Sequence, residues 1–586
     1  MYIDEAAEIA RPKPLPLREP RLVAKGADFD IEESRASAPD RHPAYGGETD
    51  EESATNATSK HESFLLSGSV FLVTNYGKTL SLPIPSDSKL DPLNWSRWRT
   101  GGAMLALGWF SFASLTAVQA ASVMLGRMRD EFRETDKDPW SLESLVTAPT
   151  LFMGVGAFLW VPLSLALGRR PVFLLAALLN FIATLGAGYS RTVRELLFFV
   201  CLLGMGQGFS VTSTSLMVID MTFIDQRPKA IAAFWSVSGF IGIIALSLVP
   251  LLSGDGKEWH LFYQRWSPIT GGALVLAYFL YPETYFKRPT VAFNGLILLQ
   301  TATEKLTIYE DLEADSDLNK DLPGYPFDDD TNKSLTRRLG ISRSPFASFL
   351  SMARCYAQIL FCFLNPLIFW VLLASAFNFA GMMFIGATFA RILTAPPYSL
   401  PSFLLIHVNN ASAVGALLAY PLAGLAGGKL ITRLVKRNKG VLEAEHYLIT
   451  YIIPILTGSA STLLYGLAVH YNYHFTLYGL AYGFNGLSWV SLSIANTMWV
   501  TEAFPRWAAP ALVVVGGGCY FISFLMSFAL MPWIAAHGYL LVGVELTVLQ
   551  AVCGLIVVPI AFWGKSARQK IHGRWAGERG GALRPL

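Results

Sequence analysis

Three acidic residues stand where a carboxylate could carry a proton. Asp220 and Glu502 close long apolar runs, and Glu545 lies inside one. Burial in an apolar medium raises a carboxyl pKa, so such a group can hold and release a proton near neutral pH. Glu545 is the most membrane-embedded of the three and the first coupling candidate. Asp220 is expected to pair with the nearby Arg227 at a helix end, and Glu502 to take a similar interface role. Two further arginines, Arg169 and Arg170, follow Gly168 between two apolar runs. Adjacent arginines are costly in hydrocarbon, so they mark a very short turn at a membrane surface.

Catalytic groupings are missing from the chain. The 9 histidines form no His-Glu-x-x-His and no metal-like cluster. The 5 cysteines are scattered without a Cys-x-x-Cys and read as packing residues. Gly516-Gly517-Gly518 lacks the Lys-Ser/Thr of a phosphate loop. No enzyme activity, cofactor or metal is expected.

The elements that position these residues follow from composition. Of 586 residues, 52% are hydrophobic and 15% charged, with mean hydropathy +0.40. Soluble domains run nearer a quarter charged. A net charge of +3 with no compact basic patch gives no sign of nucleic acid. Twelve runs are long enough to span a bilayer: 101–126, 144–167, 171–190, 195–219, 230–253, 262–282, 359–388, 402–427, 447–470, 475–501, 509–535 and 539–563. The fold class is therefore an all-α membrane protein of twelve transmembrane helices.

A polar segment divides the runs six and six. The expected organisation is a mostly disordered tail over 1–99, a first six-helix half over 100–282, a central loop over 283–355, a second half over 356–563 and a basic tail over 564–586. Phe64–Val73 is apolar but too short to span, and is expected to touch the membrane or pack locally. The N-terminus has no basic start before an apolar core, so the first run should serve as the targeting signal. Most Lys and Arg fall on the side of the two tails and of the Arg169-Arg170 turn, which makes both termini and that turn cytoplasmic. The second run ends Pro162 to Gly168 and the eighth ends Pro421 to Gly427, each leading into basic residues. That internal repeat supports two related halves, an arrangement common in transporters.

At Asp91-Pro92-Leu93-Asn94-Trp95-Ser96, after Pro83-Ile84-Pro85 and before Trp98, the sequence resembles the major facilitator superfamily, specifically its fungal multidrug and organic-cation permeases. Gly168-Arg169-Arg170-Pro171 is similar to the tail of that family's loop motif. Further similar strings are Gly204-Met205-Gly206, the set Asp220, Phe223 and Arg227, the segment Pro282 to Phe286, the loop Asn438-Lys439-Gly440, and Glu502, Phe504 and Pro505. The sequence departs from the family where Leu165 replaces the loop-motif acid and Thr432 its second-half equivalent. With Leu165 there, the turn is expected to lack the usual interhelical charge contacts.

The resemblance implies a central substrate cavity lined mainly by spans 1, 4, 7 and 10. The cavity candidates there are Gln119, Gln207, Asn378, Tyr482, Asn485, Trp489 and Asn496. Asn485, Trp489 and Asn496 share one helical face. Gly168, Arg169, Arg170 and Arg227 are the motif and gating candidates. Aromatics and neutral amides suit uncharged or weakly charged molecules. The expected function is secondary transport of a small-molecule substrate across the lipid bilayer, as efflux of a drug-like compound or fungal metabolite, with protons as coupling ion and the plasma membrane as location. The alternatives are an uptake permease for organic cations or polyamines and a non-transporting sensor on the same fold.

Overall fold

The computed structural model describes residues 64–65, 69–71, 83, 91–131, 144–254, 258–286, 297–300, 306–309 and 343–575. Most of the 1–99 tail, of the 283–355 loop and of the end of the 564–586 tail lies outside the described residues, and so do the readings made for those stretches. The chain divides into two compact units. The smaller unit comprises residues 1–66 and 294–324. In its described part, strand Phe64–Leu65 pairs antiparallel with Ile297–Gln300, which pairs antiparallel with Leu306–Tyr309.

The larger unit is helical. Its first part holds α1 (Arg97–Glu131), α2 (Ser144–Leu167), α3 (Arg169–Tyr189), α4 (Val193–Asp220), α5 (Arg227–Ser247) and α6 (Trp259–Leu280). Its second part holds α7 (Phe349–Leu364), α8 (Pro366–Thr394), α9 (Ser402–Ala419), α10 (Gly427–Arg437), α11 (Ile452–His470), α12 (Phe475–Ala503), α13 (Gly518–Leu555) and α14 (Val557–Trp575). Among the described residues, nine helical stretches are long and apolar enough to cross a membrane, one of them Ala508–Arg568. That stretch is kinked at Gly538, whose φ of 74° suits glycine. A short strand, Ser69–Phe71, pairs antiparallel with Val441–Glu443. Phe64–Val73 thus supplies a strand to each unit.

The helix ends follow local chemistry. Thr192 caps α4 by accepting from Glu195 N at 3.2 Å. Asn365 accepts from Leu367 N at 3.0 Å, and Pro366 opens α8 where its missing N–H costs nothing. The seventh apolar run, read from 359, therefore divides: α7 starts earlier, at Phe349, and stops at Asn365. Packing is alike in the two parts. α2 packs on α4 and α3 on α6, as α9 packs on α12 and α11 on α13. Glycines allow the close approaches. A Cβ on Gly156 would strike the Met205 carbonyl, and one on Gly415 the Gly483 carbonyl. Between the parts, α5 packs on α9 and α2 on α13.

The internal repeat does not extend to the backbone. Gly168 has φ 111° and turns the chain between α2 and α3. Gly427 has φ −58° and continues a helix that runs through a π-helical turn at Tyr420–Ala426 to Arg437. The second copy leads into a helix where the first leads into a turn.

Candidate functional site

The Gly168 turn is buried in charge contacts. Arg169 is 0% exposed. Its Nε donates to Asp220 Oδ2 at 3.2 Å, and a terminal guanidinium nitrogen donates to Ser164 Oγ at 2.5 Å. The backbone N–H groups of Arg169 and Arg170 donate to the two Glu283 carboxylate oxygens at 2.9 and 3.3 Å. Glu283 also accepts from Tyr285 N at 2.8 Å. Burial pushes the Glu283 carboxyl above the ordinary range, against the pull of these three N–H groups and of the Arg169 charge. A Cβ on Gly168 would collide with Glu283 and Ser344. Ser344 N and Ser348 N donate to Leu167 O and Leu165 O, both at 2.9 Å, and tie the segment before α7 to the turn.

Two sequence expectations are corrected here. Asp220 does not pair with Arg227: it meets Arg169, while Arg227 donates to Glu502 Oε1 at 2.6 Å. The chain turns between α4 and α5, so the two sequence neighbours point toward different helices. Leu165 does not leave the turn without charge contacts, because Glu283, just beyond α6, supplies a carboxylate from another element. The Arg227–Glu502 pair is buried, with side-chain exposures of 3% and 9%, and joins α5 to α12.

The second part carries its own cluster beside this pair. Arg568 of α14 holds Glu445: its Nε donates to Oε1 at 2.9 Å, and one terminal nitrogen donates to Oε1 and Oε2 at 2.7 and 2.8 Å. Arg568 also donates to Ala503 O at 3.4 Å. Lys565 donates to Glu443 Oε1 at 2.9 Å.

A cavity of about 40 Å³ lies between helices of the two parts, room for a few waters. α4 and α5 contribute Val211 and Trp235. α8 gives Ser375, α12 gives Trp489, Leu492, Ser493, Asn496 and Thr497, and the 512–520 stretch gives Val515, Cys519 and Tyr520 among others. No charged side chain lines it. Of the sequence candidates, Trp489 and Asn496 line this cavity. Asn485 shares their helical face yet turns into the interior of the second part, 0% exposed with neither amide atom partnered. Asn378 donates to Ser488 Oγ at 2.5 Å, and Gln550 donates to Phe377 O at 3.1 Å. These side chains crowd against Gly381 and Gly458, where a Cβ would meet Gln550 and Asn378. Gln119 is half-buried, Gln207 is buried with its carbonyl oxygen unpartnered, and Tyr482 is half-buried against Phe389 at 5.6 Å. None of the three lines the cavity. Trp235 and Tyr520 were missed, because the resemblance placed the cavity mainly on spans 1, 4, 7 and 10, and these two lie on spans 5 and 11.

The coupling candidates are all partnered. Glu545 accepts from Trp533 Nε1 at 2.6 Å and faces His537 Nδ1 at 2.8 Å. Protein does not enclose it: the side chain is 37% exposed. The five cysteines are free and buried, in keeping with packing roles. No metal-binding grouping is found among the described residues.

The family model described as Major Facilitator Superfamily matches residues 104–509. An uncharacterized MFS-type transporter of Schizosaccharomyces pombe is 22% identical, over 84% of this chain and 88% of its own. Protein HOL1 of Saccharomyces cerevisiae is 22% identical, over 83% and 90%. Efflux pump radE of Floropilus chiversii is 21% identical, over 73% of each. Among solved structures, the proton:xylose symporter XylE matches 80% of this chain and 96% of its own with TM-score 0.52 at 13% identity, a likeness of fold alone.

Proposed function

We propose a function from one premise: the chain belongs to the Major Facilitator Superfamily. It is a membrane transporter. Its finer role is secondary active efflux of a drug-like compound or secondary metabolite by alternating access, with the two helical halves rocking about the cavity between them. The observation that carries this reading is the lining of the cavity, which is walled by both parts, aromatic and without charge; the rocking of the halves has to widen it beyond the few waters it holds here before a drug-like cargo enters. A buried charge with no counter-charge is costly, so an uncharged cargo fits this lining. The efflux pump among its relatives supports the direction. Uptake of a polyamine is disfavoured by the lack of any carboxylate on the wall.

In this reading twelve helices cross the plasma membrane, both termini are cytoplasmic, and the Gly168 turn faces the cytosol. The Arg227–Glu502 pair then closes the cytoplasmic end. Asp220 and Glu502 are each held by an arginine, which leaves Glu545, beside His537, as the acid placed to exchange a proton. The test is efflux from proteoliposomes carrying an imposed pH gradient, together with retention of hydrophobic toxins in a deletion strain. Unchanged retention across a broad panel, with no gradient-driven flux, would sink the efflux reading. Equal pH profiles for the natural protein and Glu545→Gln would remove Glu545 from coupling.

A further inference from the structure

We infer that α10 is a docking surface for the headgroups of anionic phospholipids, held by Lys429, Arg433, Lys436 and Arg437. The inference uses neither the cavity nor the direction of transport. It follows from the length of the helix that ends in α10 and from where its cations stand.

α9, the π-helical turn and α10 form one stretch, of which Leu404–Arg437 runs for 34 residues. At 1.5 Å per residue that is about 51 Å, against about 30 Å of hydrocarbon. About 20 Å must project. The stretch carries no charge before Lys429. Charge is costly in hydrocarbon, so the projecting end is the α10 end. From Lys429 to Arg437 the cations span about 12 Å of axis, comparable with a Debye length of about 8 Å. All four therefore act within the field of a charged membrane surface.

α10 buries Gly427, Ile431 and Val435 and exposes the four cations. Exposed Ala426 is followed by Lys429, Arg433 and Arg437 at spacings of three and four. One side of the stretch thus turns from apolar to cationic as it leaves the membrane. Arg433 has Lys429, Lys436 and Arg437 three or four residues away, and like charges at that spacing destabilise a helix. No acid lies between Ser402 and Leu442 to offset them. Among the described residues, none of the four cations makes an ion pair. The helix dipole accounts for Lys436 and Arg437 in the last turn, but Lys429 and Arg433 stand earlier. Arg169, Arg227 and Arg568, by contrast, each hold a carboxylate of this chain. Juxtamembrane cations of this kind gain most from anionic headgroups, which supply the counter-charge.

The test uses the full-length protein in nanodiscs of mixed phosphatidylcholine and phosphatidylserine. Native mass spectrometry counts the phosphatidylserine retained on the protein. The natural protein should enrich it. Arg433→Gln should lower the enrichment about two- to fivefold, and Gln at all four positions about tenfold or more. Salt at about 0.5 M should weaken it too. Equal enrichment in the fourfold variant would overturn the site, and enrichment indifferent to salt would overturn its electrostatic basis. In pure phosphatidylcholine discs, Arg433→Gln relieves repulsion and should hold or raise Tm. A fall there would place the counter-charge within the chain and overturn the inference. Inorganic phosphate added to the same discs should leave Tm unshifted. A shift that the fourfold variant loses would make α10 a site for soluble anions and overturn the membrane reading. If the fourfold variant folds poorly, Arg433→Gln and the salt series decide.

Discussion

The two parts of the bundle build charge clusters at the same end with the signs exchanged. In the first, the base sits on the turn between α2 and α3, and the acids come from the end of α4 and from beyond α6. In the second, the acids Glu443 and Glu445 sit on the segment before α11, and the bases come from α14. The two clusters flank one inter-part pair, Arg227–Glu502, and Arg568 reaches the carbonyl of Ala503 next to it. What is fixed is which helix ends meet, and the sign each end carries is not. That is why Leu165 can stand where an acid was expected: Glu283 fills the acceptor role from another element.

This comparison can be broken by experiment. The largest effect should come from Arg169→Ala, which removes the fully buried guanidinium that meets Asp220 and Ser164, at a cost of about 3–5 kcal/mol. Arg568→Ala should cost less, because Glu445 lies beside the partly exposed Lys565–Glu443 pair and can relax toward it. Thermal unfolding in nanodiscs checks both, and a larger loss at Arg568 would reverse the ranking. If sign is exchangeable, Glu445→Arg combined with Arg568→Glu should recover most of what either single change loses. A double-mutant cycle with coupling below about 0.5 kcal/mol would deny that.

A smaller effect concerns pH. Burial raises the Glu283 carboxyl, so the folded state holds its proton more tightly than the unfolded chain does. Stability from this group therefore falls as pH rises from the ordinary glutamate range through the raised value. Glu283→Gln should flatten that slope in Tm against pH, and an unchanged slope would assign it to another group. The smallest effect should be Lys565→Ala, whose pair is 29% and 20% exposed: about 0–1 kcal/mol.

Helices were legible in the sequence because hydrocarbon demands long apolar runs and helix satisfies their backbone groups. Partners were not. Asp220 was assigned to Arg227 by proximity, whereas its partner is 51 residues away and Arg227's is 275. Charges at helix ends choose by which ends meet in space, and turns decide that. The amides of α12 were read as one face, and Asn485 and Asn496 along it look into different surroundings. Periodicity fixes direction around an axis, and the neighbouring helices decide what lies there. Trp235 was missed because the resemblance pointed to spans 1, 4, 7 and 10, and it lies on span 5.

Arg169 and Arg227 each stand at the first residue of a helix, while Asp220 and Glu502 stand in the last turn of theirs. Backbone dipoles make a helix start positive and its end negative. Every one of these charges is thus at the wrong end of its own helix and the right end of its partner's. Pulling either pair apart loses the ion contact and returns each charge to an opposing dipole, a further ~0.3–1 kcal/mol per charge. Between α5 and α12, separation by a small amount recovers nothing until water reaches both groups. The contact joining the two parts should therefore yield abruptly, with few intermediate openings, and dwell in closed and open states.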